Sequence, residues 1–134
     1  GLLGKKLLMT VKTLMHSGNR LPLVQAKTLF KDVVYVITQK ALGVGIITSE
    51  NGSLIGLITD GDLRRACNQG PSVFDKTAEE IMNSSVKTIE PNIPASQALS
   101  YMENLNITSL VVVESGSIVG LLHIHDIVKT GIKE

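Results

Sequence analysis

Gly56-Leu57-Ile58-Thr59-Asp60-Gly61-Asp62-Leu63-Arg64-Arg65 is the stretch around which the chain is organised. Its apolar first half reads as a buried strand, Thr59, Asp60 and Asp62 crowd a turn, and Leu63 with two arginines opens a helix. A strand-to-helix junction leaves free backbone N–H groups at the helix N-terminus, which suit an anion. It also sets a hydroxyl, Thr59, and a carboxylate, Asp62, three residues apart, where both can meet a polyhydroxy ligand. A weaker copy follows as Gly120-Leu121-Leu122-His123-Ile124-His125-Asp126-Ile127.

Two copies of one site-like element point to an internal repeat. Gly52, Gly56 and Asp62 match Gly116, Gly120 and Asp126 at an offset of 64, Leu42 matches Ile107 at 65, and Met15 matches Met82 at 67. The drift corresponds to small deletions in loops, where they are tolerated. Each half reads strand, helix, strand, strand, helix. The repeat also settles a local conflict. Val33-Val34-Tyr35-Val36-Ile37 is β-branched and would pass for a strand. It aligns with Ala98–Met102, part of a run in which Ala98, Leu99, Met102 and Leu105 recur at helical spacing, so it is predicted to be helix, with tertiary context overriding propensity.

Along the chain, Leu3, Leu7 and Leu8 with Lys5 and Lys6 suggest a short amphipathic leader, read as a linker helix or, alternatively, a membrane-surface helix. Thr28 is expected to cap a helix over residues 29–40. Asn51-Gly52 is a hairpin signal between strands at 45–48 and 53–58. Gly70-Pro71 stops the helix of the opening stretch, and residues 71–77 read as a polar connection. Thr77-Ala78-Glu79-Glu80 has capping-box spacing. Val86–Ile89 alternates as a strand, Pro94 suits the first turn of a helix, and 107–113 with 118–122 form a second hairpin before a last helix from His125.

The 134 residues are 43% hydrophobic and 19% charged, enough for a packed core and unlike a disordered chain. Two Tyr, two Phe and no Trp offer no stacking platform for single-stranded nucleic acid, and a net charge of +1 gives no field for DNA or an anionic membrane. No apolar run approaches the ~18 residues needed to span a bilayer. Cys67 is the single cysteine, which allows no internal disulfide and fits a reducing, cytoplasmic setting. Gly1-Leu2-Leu3-Gly4 lacks an initiator Met and a signal-peptide pattern, so the chain is read as a piece of something larger.

These motifs resemble a tandem pair of CBS domains, whose signature is Gly-hydrophobic-x-Thr/Ser-x-x-Asp at the last strand–helix junction. Gly56, Thr59 and Asp62 meet it fully. Gly120 and Asp126 meet it in the second copy, where His123 stands in place of Thr or Ser. The resemblance covers roughly residues 11–132 and implies an α+β (α/β) fold of two β-α-β-β-α repeats about a pseudo-twofold axis, with two clefts able to take nucleotides. Leu-Leu-Met-Thr-Val-Lys-Thr-Leu-Met-His (7–16), Thr-Asp-Gly-Asp-Leu-Arg-Arg (59–65), Asn-Ile-Thr-Ser-Leu (106–110) and Leu-His-Ile-His-Asp-Ile (122–127) are similar to the C-terminal half of bacterial arabinose 5-phosphate isomerases. In that family a sugar-isomerase domain precedes the CBS pair and makes a precursor of the lipopolysaccharide sugar Kdo or of capsules. The expected organisation is a linker at 1–13 from a missing isomerase domain, one repeat at 14–70 and another at 71–134. The expected state is a homodimer through CBS pairs, tetrameric in the full-length enzyme. The resemblance implies a non-catalytic regulatory fragment that binds AMP or ATP, the family-wide ligands, or CMP-Kdo, the pathway's end product; a purely structural, oligomerising module is the alternative.

Each candidate residue has two readings. Thr59 and Asp62 can hold ribose hydroxyls or simply cap the helix, with Asp60 the better assigned to capping. Asp60 with Asp62 could instead pair on a metal. Arg64 or Arg65 can take a phosphate or sugar-acid carboxylate bidentately, or lie in solvent; Arg64 is the assigned contact. Their counterparts, Val128 and Lys129, keep one charge, so the two sites are chemically unequal. His123 and His125 alternate along a strand end and could hold a metal; the repeat favours His123 as a hydrogen-bond donor to ligand, beside Asp126. In this family Thr88, Thr108 and Ser109 lie at strand edges lining the second cleft, where they suit base or sugar contacts or satisfy turn backbone. His16 has no obvious partner. Cys67 has no His or Asp beside it that would make it a nucleophile, and no Walker-type phosphate loop is present.

Overall fold

The computed structural model describes residues 8–133, so most of the proposed amphipathic leader lies outside the described residues. The chain divides into two compact units: Asn19–Val86, and the leading segment up to Gly18 together with Lys87 onward.

In the first unit β1 (Leu23–Gln25) runs parallel to β2 (Val44–Thr48), which pairs antiparallel with β3 (Leu54–Thr59). Every residue of β2 is buried, as expected of a central strand covered on both faces. Helices α2 (Phe30–Lys40) and α3 (Asp60–Cys67) cover the sheet. The β-branched run is helical because Phe30, Val33 and Ile37 fall on one face and enter the core with Val24, Ile47 and Ile58. Burying each such side chain is worth about 1.5–3 kcal/mol, against a few tenths lost to propensity. Leu29, not Thr28, precedes the first helical residue, and no side chain caps it. Leu29 is held extended by a bridge to Thr77, and the Phe30 N–H is served by the Lys76 carbonyl at 2.9 Å. Residues 71–75 form a 3₁₀ turn that buries Val73. The short helix α4 (Ala78–Ile81) is capped as expected, with the Glu80 carboxylate taking the Thr77 N–H at 3.0 Å.

The second unit repeats the plan with β4 (Thr88–Ile89) parallel to β5 (Ser109–Glu114), and β5 antiparallel to β6 (Ser117–His123). The expected strand over 86–89 is only two residues long, an exposed edge that ends at the Pro91 turn. Helix α5 (Ala95–Leu105) buries Ala98, Leu99 and Met102 but leaves Leu105 39% exposed. The Ser115-Gly116 turn has positive φ at both residues, the geometry of tight hairpins. The last helix is α6 (Ile124–Val128).

The leading segment completes this unit. Val11, in α1 (Val11–Leu14), is fully buried against Ala95, Ala98 and Leu122. Its N–H reaches the Ile93 carbonyl at 2.9 Å, and His16 bridges Leu121 in both directions at 2.9 Å. In the first unit α4 holds the equivalent place, and Asn83 bridges Leu57 in both directions at 2.9 Å. Each sheet is thus completed by the short helix that precedes the other repeat in the chain.

Candidate functional site

At the first junction Thr59 ends β3 in extended backbone and caps α3. Its hydroxyl oxygen accepts from the Asp62 N–H at 3.2 Å while Asp62 Oδ2 accepts from the Thr59 N–H at 2.9 Å. The capping role assigned to Asp60 therefore belongs to Thr59. Asp60 is already helical, and its N–H goes to the Gly43 carbonyl at 3.2 Å. Asp62 Oδ1 accepts from Arg65 Nη2 at 2.6 Å. Burial pushes the Asp62 carboxyl up, but the Thr59 N–H, the Arg65 guanidinium and the Thr59 side chain together outweigh it and hold the group below its ordinary value. Asp62 is anionic at neutral pH. Arg64, the expected contact, is exposed and lines a groove of about 600 Å³ with Phe30, Val34 and Cys67; Arg65, one residue on, is the arginine that meets Asp62.

At the second junction His123 ends β6 and caps α6. Asp126 Oδ2 accepts from the His123 N–H, and His123 Nδ1 accepts from the His125 N–H, both at 3.1 Å. The neutral His123 ring therefore carries its proton on Nε2, a donor. Its rings stack with His125 at 4.9 Å and 20°. Burial chiefly, with repulsion from His125 and His16, lowers the His123 pKa against the opposing pull of Asp126. Ser109 lies opposite His123 in register, so the two side chains share a face. Ser109 is buried, and its hydroxyl has no hydrogen-bond partner among the described residues. In the first unit the pairing is Val44 opposite Thr59, so the hydroxyl has moved to the neighbouring strand. Thr108 contributes its carbonyl, which accepts from the Ile124 N–H at 2.8 Å. Thr88 is elsewhere: it lines a groove of about 790 Å³ beside Ile93, Gln97 and Tyr101.

One residue at this junction escaped the sequence. His16 Nε2 lies 3.0 Å from Asp126 Oδ2, with side-chain exposures of 12% and 10%. Lys129 Nζ, the counterpart of Arg65, is 3.5 Å from Asp126 Oδ1. In the sequence the repeat sets Met15-His16 against Met82-Asn83; the bridge of His16 to Leu121 is what brings it beside β6. Among the described residues no three His, Cys, Asp or Glu side chains form a set able to hold a metal, and no helix is long and apolar enough to cross a membrane.

Comparison with protein-family models matches the CBS domain over residues 11–69 and 78–132. The chain belongs to the CBS domain family. This CBS pair is 35% identical over 132 residues to the arabinose 5-phosphate isomerase KdsD of Escherichia coli K12, covering 98% of this chain and 40% of that protein. It is 39% identical to KdsD of Pseudomonas aeruginosa, covering 98% and 41%. The chain thus spans about two fifths of the length of these curated relatives. Among solved structures, the CBS pair matches a CBS-domain protein of Agrobacterium tumefaciens with a TM-score of 0.83 at 22% identity, covering 94% and 96% of the two chains. It matches CBSX2, solved in complex with AMP, with a TM-score of 0.79 at 20% identity, covering 91% and 95%. It also matches the CBS pair of protein MJ0100, solved with 5′-methylthioadenosine and S-adenosyl-L-methionine, with a TM-score of 0.80 at 24% identity, covering 91% and 94%.

Proposed function

We propose that this CBS pair is a nucleotide-sensing regulatory module of an arabinose 5-phosphate isomerase in the Kdo or capsule pathway. The observation that carries the reading is Asp62. It is an anionic, part-buried carboxylate at a helix N-terminus, with one oxygen on the Thr59 N–H and the other on an exposed, displaceable Arg65. A ribose diol can replace the guanidinium with two donors. Likeness to CBS structures solved with AMP and with S-adenosyl-L-methionine supports an adenine nucleotide. Likeness to KdsD supports CMP-Kdo, whose acidic sugar would suit Arg64 at the first junction or the His123 Nε2–H at the second. His123, Ser109, Thr108 and Asp126 belong to the second site; Thr88 is offered as a contact of its own groove. The module binds ligand without catalysing a reaction, in the cytoplasm, joined to an isomerase domain and paired with a second copy. Ligand acts by favouring one of two arrangements of the attached domains, which requires unequal affinity for them.

A second reading, oligomerisation alone, draws on the capping boxes: Thr59 with Asp62 and His123 with Asp126 already satisfy their own helix ends. Calorimetry with AMP, ATP, CMP and CMP-Kdo separates the two. Binding that Asp62→Asn weakens supports sensing. A folded chain that binds none of the four counts heavily for the structural reading.

A further inference from the structure

We propose that His16 is a specificity-determining residue that closes the second junction to a ribose diol, so that the pair takes one nucleoside per chain, at Asp62. The inference rests on the nucleotide reading above. A carboxylate oxygen has two lone pairs. Asp126 Oδ2 is filled by the His123 N–H at 3.1 Å and the His16 ring at 3.0 Å, and Oδ1 faces Lys129 at 3.5 Å. Asp62 has a backbone N–H on one oxygen and, on the other, a guanidinium whose side chain is 71% exposed.

The cations on the two Oδ1 atoms, Arg65 and Lys129, are alike 71% and 70% exposed and can swing into water. The two carboxylates differ at Oδ2, where a diol that needs a lone pair on each oxygen finds the His16 ring on Asp126. His16 is fixed by its two backbone bonds to Leu121, and Met15 beside it lies against Gly120 so closely that a Cβ there would come within 2.4 Å of the sulfur. The residue at the matching place in the first unit is Asn83, which makes the same backbone bridge to Leu57. Its side chain turns instead to the Ser85 N–H at 2.9 Å, and among the described residues Asp62 Oδ2 takes only the Thr59 N–H. His16 against Asn83 thus separates a carboxylate whose Oδ2 is filled twice from one whose Oδ2 takes a single backbone N–H among the described residues. The second junction is left to present the His123 Nε2–H and the buried Ser109 hydroxyl, two donors suited to a carboxylate, phosphate or carbonyl oxygen rather than to a diol.

Calorimetry with AMP and CMP on the full chain tests this with His16→Asn, His16→Asn/Asp126→Asn and Asn83→His. The native chain is expected to bind one equivalent. His16→Asn gains a second, which the added Asp126→Asn removes, and Asn83→His weakens the original equivalent at least tenfold. Two equal equivalents on the native chain, or an unchanged stoichiometry in His16→Asn, overturns the proposal. If His16→Asn fails to fold, an unaltered affinity in Asn83→His overturns it. Binding by His16→Asn alone, with none by the native chain, removes the Asp62 reading and keeps the role of His16. No binding by any folded variant removes both.

Discussion

The sulfur of Met82 lies against the α-carbon of Gly56, so close that a Cβ built on Gly56 would stand 2.2 Å from it and 2.9 Å from the Met82 Cβ. The signature glycine is therefore demanded by packing against α4, and the same holds for Gly120 beneath Met15. Gly56→Ala is expected to lower stability by about 1–3 kcal/mol through overpacking. Gly56→Ala combined with Met82→Ala should recover part of that loss, since the smaller side chain makes room. Urea unfolding of the two single variants and the double variant measures the coupling; strict additivity would show that the contact is not the cause.

Thr59 contributes its hydroxyl as an N-cap acceptor as well as its proposed ligand contact. Thr59→Ala is expected to destabilise the chain by about 1 kcal/mol, whereas Thr59→Asn, which can still cap, should stay near native stability. A nucleotide affinity that falls in both variants would separate the ligand role from capping.

The arginines are distinguishable by titration. Arg65→Ala removes one of the interactions that hold Asp62 down, so the Asp62 carboxyl should titrate at higher pH, while Arg64→Ala should leave it in place. Because the Arg65 side chain is mostly solvated, its loss is expected to change stability by no more than about 1 kcal/mol. Carbon-detected NMR titration of the carboxyl resolves the two variants; equal shifts would contradict the pairing of Asp62 with Arg65.

His123 makes stability depend on pH with a definite sign. Its folded pKa lies below its ordinary 6.5, so the unfolded chain binds more protons as the pH falls through that range. The contribution is present above about pH 6.5 and is lost on acidification towards the folded value. Asp62, also depressed in the fold, adds a second loss of the same sign below its ordinary 3.8. His123→Asn keeps a capping side chain and is expected to flatten the upper part of the pH–stability profile, as read by thermal unfolding between pH 5 and 8.

What the sequence made legible was local or repeated. The β-branched helix over 30–40 could be assigned because its copy over 95–105 was plainly amphipathic. The Thr59–Asp62 pair was visible because a capping box closes over three residues. The expectation of Arg64 overlooks that i and i+3 share a helix face, which sets Arg65 rather than Arg64 against Asp62. His16 and Asp126 stand 110 residues apart, and no periodicity announces a contact set by two chain segments meeting at a sheet edge. The start of α2 was displaced from Thr28 for a related reason: a bridge from Leu29 to Thr77 lies outside any local pattern.

Each sheet takes its closing helix from the segment ahead of the other repeat, and this has a consequence for how the chain can be divided. Residues 19–86 form an uninterrupted module that could be excised whole, while its counterpart is assembled from both ends of the described chain. A polypeptide carrying a single copy of the repeat, with its own short leading helix, would be left with one vacant sheet edge and one unplaced helix. Two such chains could satisfy each other only by reciprocal exchange. The duplication thus turns an obligatory partnership between molecules into connectivity within one.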